Sequence, residues 1–140
     1  MFFGRHGKRA QTSVEYMMAI AMTIVLVAAI MVTGFKELEL DLSLSAARMG
    51  GTDFTAKSGN YTLGRIDFTI NDTQNLVNVT PHFYLRGASS VSDADRAYAS
   101  ALCFLKMRSV FSPGEANLTA DYCFDAPYRR YCVTPVMIPA

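Results

Sequence analysis

Three cysteines carry the clearest chemistry in this 140-residue sequence, and their spacing favours a disulfide over a zinc site, because none has Cys-x-x-Cys spacing. Cys123 and Cys132 flank a segment centred on Pro127 and Tyr128. A turn there would place the two cysteines opposite each other across a hairpin, and closing so short a loop contributes about 2–3 kcal/mol in the chain-entropy model. Cys103 is then left over, although its pairing with either of the others stays open.

Four Asn-x-Thr sequons are the second chemical feature, and none has proline at its middle position. A single sequon often arises by chance, but four in the region that follows the N-terminal apolar run form a stronger signal. The alternative is that Asn and Thr are simply enriched in turns and strands. We expect N-glycans on at least some of these asparagines: Asn60, Asn71, Asn78 and Asn117.

Groups suited to catalysis or metal binding are sparse. His82 is the single histidine after the N-terminal region, and the sequence has no Gly-x-Ser-x-Gly motif, no phosphate-binding glycine loop and no spaced set of metal ligands. Asp93 and Asp95 lie in a Ser-rich stretch that is typical of a solvated turn. We therefore expect no enzyme activity, no metal and no cofactor.

An aromatic and basic cluster lies near the C-terminus. It could contact a neighbouring subunit or an anionic surface, although an exposed hairpin tip is the simpler interpretation. Its members are Tyr122, Tyr128, Arg129, Arg130 and Tyr131.

The element that dominates the chain is an uncharged apolar run from Tyr16 to Phe35. As a helix it would be about 30 Å long, which matches the hydrocarbon core of a bilayer. Basic residues precede the run and acidic residues follow it, which predicts a cytoplasmic N-terminus and export of the remainder. Glu15 adjoins the run. It either marks the headgroup boundary and helps to start the helix, or it pairs with a cation in a low-dielectric assembly.

The segment from Ala10 to Tyr16, Ala-Gln-Thr-Ser-Val-Glu-Tyr, resembles the class III signal peptide of archaeal type IV pilins. It is also similar to the Glu-Tyr segment of bacterial Flp-type pilins. The resemblance implies that a prepilin peptidase cuts between Ala10 and Gln11, so that residues 1–10 are a leader and the helix stays in the product. It also implies an assembly role for Gln11, Glu15 and Tyr16.

Cleavage at that position would leave a free α-amine on Gln11, which is largely protonated near neutral pH. Glu15 of a neighbouring subunit could pair with this ammonium group and bring the next helix into register. A pair made away from water also disfavours other registers, because they would leave a buried charge unmatched.

Composition and charge narrow the alternatives. The net charge of +1 provides no basic field for a nucleic-acid partner. The length leaves room for one exported domain beside the helix. An ordinary secretory signal has a shorter apolar core and a small-x-small cleavage site, so an uncleaved signal-anchor is the more serious alternative.

We predict an α+β fold with a long helix over residues 11–49, apolar at first and then amphipathic, and a small antiparallel β-rich domain over residues 52–140. Gly50-Gly51 would end the helix. The leucines that alternate with polar residues from Leu38 to Leu44 also fit a strand.

Within the domain, residues 62–70 and 77–85 predict a hairpin with one buried face, and Pro81 favours an edge position for the second strand. Two further strands are predicted over residues 118–124 and 131–138. Residues 92–107 fit a helix that begins at a Ser92 cap. A strand over residues 102–110 is the alternative there.

These features together predict an extracellular filament subunit that is assembled with copies of itself or related pilins, with adhesion or surface attachment as its role. The alternative is a single-pass membrane protein with an external binding domain that does not polymerise.

Overall fold

The computed structural model describes residues 4–87, 90–112 and 121–139, with side chains from Gln11 onward. The fold is α+β, as predicted: a long apolar N-terminal helix is followed by a small mixed sheet and a second helix. The chain divides between Glu37 and Leu38 into two compact units. Its elements are α1 (Gly4–Ser58), β1 (Tyr61–Asn71), β2 (Leu76–Leu85), α2 (Asp93–Phe111), β3 (Cys123–Asp125), β4 (Arg130–Val133) and β5 (Val136–Ile138).

Helix α1 is continuous through the apolar run, and its threonine hydroxyls are satisfied within the helix. Thr23 Oγ1 donates to the carbonyl oxygen of Ala19 at 2.8 Å, and Thr33 Oγ1 donates to that of Ile30 at 2.9 Å. Hydroxyls bonded to the preceding turn leave no unsatisfied donor facing an apolar environment. The alternating leucines that follow are also helical, which excludes the strand alternative.

The prediction that Gly50-Gly51 end the helix is wrong, because α1 continues to Ser58. The glycine serves close packing instead. A Cβ atom placed on Gly50 would lie 2.7 Å from the Cα of Cys103 and 2.8 Å from the carbonyl oxygen of Leu102, both on α2. Only a residue without a side chain lets the two helix backbones approach this closely.

The described strands form one mixed sheet in the order β1-β2-β4-β3, and β5 also pairs with β2. The predicted hairpin is confirmed, since β1 and β2 are antiparallel. The expectation of an antiparallel sheet is wrong for two other pairs, because β4 and β5 both run parallel to β2. β4 and β5, which follow α2 and β3 in the chain, therefore both return to the same central strand.

The edge position predicted for β2 is also wrong, since β2 has β1 on one side and β4 and β5 on the other. Pro81 is tolerated because it lies in an interruption. Pairing with β4 ends at Val79 and pairing with β5 begins at His82. On the other side Pro81 faces Ile66, next to a register shift in β1. A missing N–H costs little where a ladder is already broken.

Residues 93–111 form a helix, which decides between the two alternatives for this segment. Ser92 caps it, since its hydroxyl accepts a hydrogen bond from the backbone N–H of Asp95 at 3.1 Å. The buried side chains of α2 recur at helical spacing: Ala99, Cys103, Phe104 and Met107.

Aromatic side chains fill the core of the second unit. The ring centroids of Phe54 on α1 and Phe83 on β2 are 5.0 Å apart in an edge-to-face arrangement. The expected buried face of the hairpin is real on β2 but incomplete on β1, where Phe68 is 43% exposed and Ile70 is 39% exposed. The core therefore centres on β2 and the two helices.

The last predicted strand is two strands, β4 and β5, separated by Thr134 and Pro135. The strand predicted over residues 118–124 is observed only from Cys123, and residues 118–120 lie outside the described part of the chain.

Candidate assembly helix and disulfide-closed hairpin

The assembly segment, defined here as residues 11–35 of α1, exposes all of its side chains. Its large apolar residues include Met22 at 71% exposed, Val25 at 69% and Leu26 at 62%. A helix that is apolar on every side is typical of a core or of a membrane span. The structure therefore leaves an apolar surface exposed along this segment.

Helix α1 from Gln11 to Ser58 is long and apolar enough to cross a membrane, because it contains an 18-residue stretch with a mean hydropathy of 2.4, none of which is buried. These properties suggest membrane association. Length and composition alone carry this inference.

The residues expected to act in assembly lie together at the start of the segment. Gln11 and Glu15 are one helical turn apart, and both are exposed, as is Tyr16 at 69%. No cationic side chain from Gln11 onward in the described ranges lies within ion-pair distance of the Glu15 carboxylate. Ala10 belongs to the helical backbone of α1. Since α1 begins at Gly4, Glu15 does not mark the start of the helix while residues 4–10 are present.

Small residues break up the apolar surface of the segment. Ala21 and Ala29 are two helical turns apart on one face with Val25 between them, and Met22 and Leu26 border the shallow hollow that they leave. A Cβ atom on Gly34 would have nothing within 4 Å of it among the described residues. Small residues at such spacing let a second helix approach closely.

The disulfide between Cys123 and Cys132 is confirmed. The two residues are direct partners of β3 and β4, with their Cα atoms 4.1 Å apart. Cys103 is buried on α2 as a free thiol, which excludes the competing pairings. Burial raises the pKa of this thiol to about 12, so it stays protonated and unreactive at neutral pH.

Sequence reasoning missed the contribution of Glu39 to the hairpin tip, defined here as residues 126–130. Glu39 lies on α1 and is only 4% exposed, and its Oε2 accepts a hydrogen bond from the backbone N–H of Tyr128 at 2.9 Å. The sequence did indicate that Glu39 lies close to the buried face of the helix, because it directly precedes a buried leucine, Leu40, in an amphipathic segment. Its partner is 89 residues away and could not be inferred.

The aromatic and basic cluster is not simply an exposed tip. Tyr131 is fully buried and Arg129 is 9% exposed, whereas Arg130 points to solvent. Burial, followed by the charge of Glu39, raises the pKa of Tyr131 to about 12. Among the described residues Glu39 Oε1, Arg129 Nη1 and the Tyr131 hydroxyl are buried without a hydrogen-bond partner.

Three of the four sequon asparagines lie on or next to the β1–β2 hairpin. Asn60 precedes β1 and Asn71 is its last residue, and both are exposed, while Asn78 on β2 is half-buried. Asn71 Oδ1 accepts hydrogen bonds from the backbone N–H groups of Thr73 and Gln74, which shapes the turn. Asn117 lies outside the described residues.

His82 belongs to a surface charge cluster. Its Nε2 lies 3.0 Å from Asp67 Oδ2, and Arg65 Nε lies 3.0 Å from the same oxygen atom. The ranges with described side chains contain no group of three or more His, Cys, Asp or Glu residues that could hold a metal ion.

The sequence matches no family profile, and no curated protein or solved structure matches it either.

Proposed function

We propose that this chain is a structural, non-enzymatic subunit of an extracellular filament resembling a type IV pilus, with a role in adhesion or surface attachment. One observation carries the proposal. A helical segment exposes every side chain from Gln11 to Phe35, and its first residues belong to the stretch from Ala10 to Tyr16 that resembles a prepilin cleavage motif. Burial among copies of itself would remove this surface from water and from lipid.

In this proposal a prepilin peptidase removes residues 1–10. The mature helix then begins at Gln11, which places Glu15 in its first turns, where the helix macrodipole favours an acid. The Gln11 ammonium group of one subunit pairs with Glu15 of the next. Because an unmatched charge in a low-dielectric core is costly, this pair also sets the register.

The subunit would be held in the membrane before assembly, with its N-terminus in the cytoplasm, and the second unit would be exported. In the filament the small residues of the assembly segment allow close helix packing. They are Ala19, Ala21, Ala28, Ala29 and Gly34. The sequon-bearing hairpin would carry N-glycans on the outer surface.

The test is a comparison of Glu15→Ala with Glu37→Ala in the native host. Both substitutions remove one exposed acid from α1, at opposite ends of the apolar run. An unmatched buried ammonium group is worth several kcal/mol, and about 1.4 kcal/mol corresponds to a factor of ten. We therefore expect Glu15→Ala to lower the yield of sheared filaments at least about tenfold, and Glu37→Ala to leave it nearly unchanged.

The N-terminal residue of the isolated protein provides the second measurement. A mature chain that begins at Gln11 is expected. Filament yields that are equal for the two variants would overturn the assembly role of Glu15, and a protein that retains Met1 would overturn the processing step.

The alternative function is a signal-anchored protein that never polymerises, which the spanning length of the apolar segment also fits. Shearing the cells distinguishes the two hypotheses. A filament subunit would be released in long particles, whereas an anchored monomer would remain with the membrane fraction.

A further inference from the structure

A small polar cleft lies in the second unit between two neighbouring turns, the β1–β2 turn and the hairpin tip. Its volume is about 270 Å³. This is slightly below the usual range of small-molecule sites, about 300–1,000 Å³, so the cleft suits a single sugar-sized group. The residues that define its chemistry are Gln74, Asn75, Asp125, Tyr128, Arg129 and Arg130.

The two turns that form the cleft are tied to each other. The side-chain amide of Asn75 donates to the carbonyl oxygen of Tyr128, and the backbone N–H of Arg130 donates to the carbonyl oxygen of Asn75 at 2.9 Å. Asn75 has a φ of 54°, a left-handed conformation that these bonds hold in place. A cleft whose walls are already fixed loses little conformational freedom when a ligand binds.

The hairpin tip is also anchored from below. The disulfide joins the strands that lead into it, and the backbone N–H of Ala126 donates to the carbonyl oxygen of Arg129 at 2.9 Å across the turn. The hydrogen bond from Tyr128 to Glu39 attaches the tip to α1. Together with the two bonds to Asn75, these three constraints hold this wall of the cleft.

The lining combines guanidinium, amide and carboxylate groups. Sugar hydroxyls both donate and accept, so they pair well with amides and carboxylates such as those of Gln74 and Asp125. Guanidinium groups instead favour the two oxygens of a carboxylate.

Arg130 is the residue on which the preference for an anion rests. Its side chain is 55% exposed, and its Nε lies 3.9 Å from Asp125 Oδ1, a loose pair that leaves the guanidinium accessible to a ligand. Arg129 is more deeply buried, at 9% exposed, and contributes less to the accessible lining.

We propose that this cleft binds a sugar unit that carries a carboxylate, as in an acidic polysaccharide. The sugar hydroxyls meet the amide and carboxylate side chains, and the ligand carboxylate meets Arg130. The site lies within the second unit and does not require the chain to polymerise, so it is independent of the proposed filament.

The test measures binding of trigalacturonic acid to the full chain in detergent micelles by isothermal titration calorimetry, with galactotriose as the uncharged counterpart. We expect saturable binding of the acidic trisaccharide and at least about tenfold weaker binding of the neutral one. Arg130→Gln should weaken the acidic ligand at least about tenfold, and Gln74→Ala should weaken both ligands. Bidentate pairing of a carboxylate with arginine accounts for an effect of this size.

Arg86→Gln is the matched control, because it removes an equally exposed positive charge away from the cleft. Arg86→Gln should change the affinity less than about twofold if the ligand carboxylate binds Arg130 directly and is not held by the long-range field of the positive charges. Circular dichroism, together with a protein mass that shows the disulfide is formed, reports on the folding of each variant.

Three results would overturn the proposal. They are no saturable binding of either saccharide to the folded chain, equal affinity for the acidic and neutral trisaccharides, and equal loss of affinity in Arg86→Gln and Arg130→Gln. Complete displacement of the acidic saccharide by equimolar inorganic phosphate would show a general oxyanion site and would overturn the sugar assignment.

Discussion

The two parts of helix α1 differ in whether their apolar side chains are buried by the rest of the chain. From Gln11 to Phe35 every side chain is exposed, whereas in the second unit the buried positions recur every three or four residues. Those buried positions are Glu39, Leu40, Ser43, Ala46, Ala47, Gly50, Gly51 and Phe54. A stripe of this period is covered by the rest of the same chain. The comparison teaches that one helix has two kinds of partner: its own domain for the later part, and lipid or another molecule for the earlier part.

The largest expected difference between the two parts comes from truncating an equivalent apolar side chain in each. Phe54 is fully buried and contacts Phe83, while Leu26 is 62% exposed. Phe54→Ala should lower the free energy of unfolding of the second unit by about 3–5 kcal/mol, through lost burial and the cavity left behind. Leu26→Ala should change it by less than about 0.5 kcal/mol.

Urea titration of the full chain in micelles, followed by near-ultraviolet circular dichroism of the tyrosines, measures both variants. Equal destabilisation by the two substitutions would contradict the difference in burial between the two parts of α1. Similar stability of Phe54→Ala and the parent would contradict the placement of the core.

An intermediate effect is expected for the two glycines. In Gly50→Ala the new methyl group meets backbone atoms of Cys103 and Leu102, which cannot rotate away. Overpacking of this kind costs about 1–3 kcal/mol, and the better helix propensity of alanine, about 1 kcal/mol, recovers only part of it. We expect net destabilisation of the second unit in the same urea titration.

Gly34→Ala is the matched control, since its added methyl group has no described atom within 4 Å. The stability of the second unit should not change. A gain in stability for Gly50→Ala would show that α1 and α2 can separate at no cost, and the close approach would then have no structural importance.

The smallest effect of a core substitution at neutral pH is expected for Tyr131→Phe, which keeps the buried aromatic ring and removes only its hydroxyl group. The difference should emerge in alkali. Burial raises the pKa of Tyr131 to about 12 in the folded state from its ordinary value of 10.0, so its contribution to stability is complete below pH 10 and is lost as the pH rises towards 12.

The parent should therefore lose stability between about pH 10 and pH 12 faster than Tyr131→Phe, by at most about 1.4 kcal/mol per pH unit. Tyr61 and Cys103, whose pKa values burial also raises, contribute equally to both proteins. Parallel stability curves for the two proteins over this range would contradict the burial of the Tyr131 hydroxyl beside Glu39.

Local signals predicted most of the elements. The apolar run and the alternation in β1 and β2 depend on neighbouring residues, and they led to the observed elements. The Ser92 cap and the short loop between Cys123 and Cys132 favoured the observed helix and disulfide, although a strand and other pairings stayed open. The candidate assembly residues could be located on the helix for the same reason. Their action on one another across subunits stays a prediction.

The errors arose where a distant partner overrode a local preference. Gly50 would end an isolated helix, but α2 packs against it. Pro81 would mark an edge strand, but the partners of β2 leave a gap at that residue. Parallel pairing of β4 and β5 with β2, and the bond between Glu39 and Tyr128, depend on contacts that no spacing in the sequence specifies.

The close contact at Gly50 also has a consequence for how the second unit folds. Two adjacent glycines make the continuation of α1 beyond them unfavourable in isolation, by roughly 1 kcal/mol each relative to alanine. The final turns, which carry Phe54, therefore become stable only once α2 has docked, and α2 in turn loses its contact surface if those turns unravel. The C-terminal turns of α1 and the whole of α2 should then unfold as one cooperative unit, even though the β1–β2 hairpin separates them in the chain.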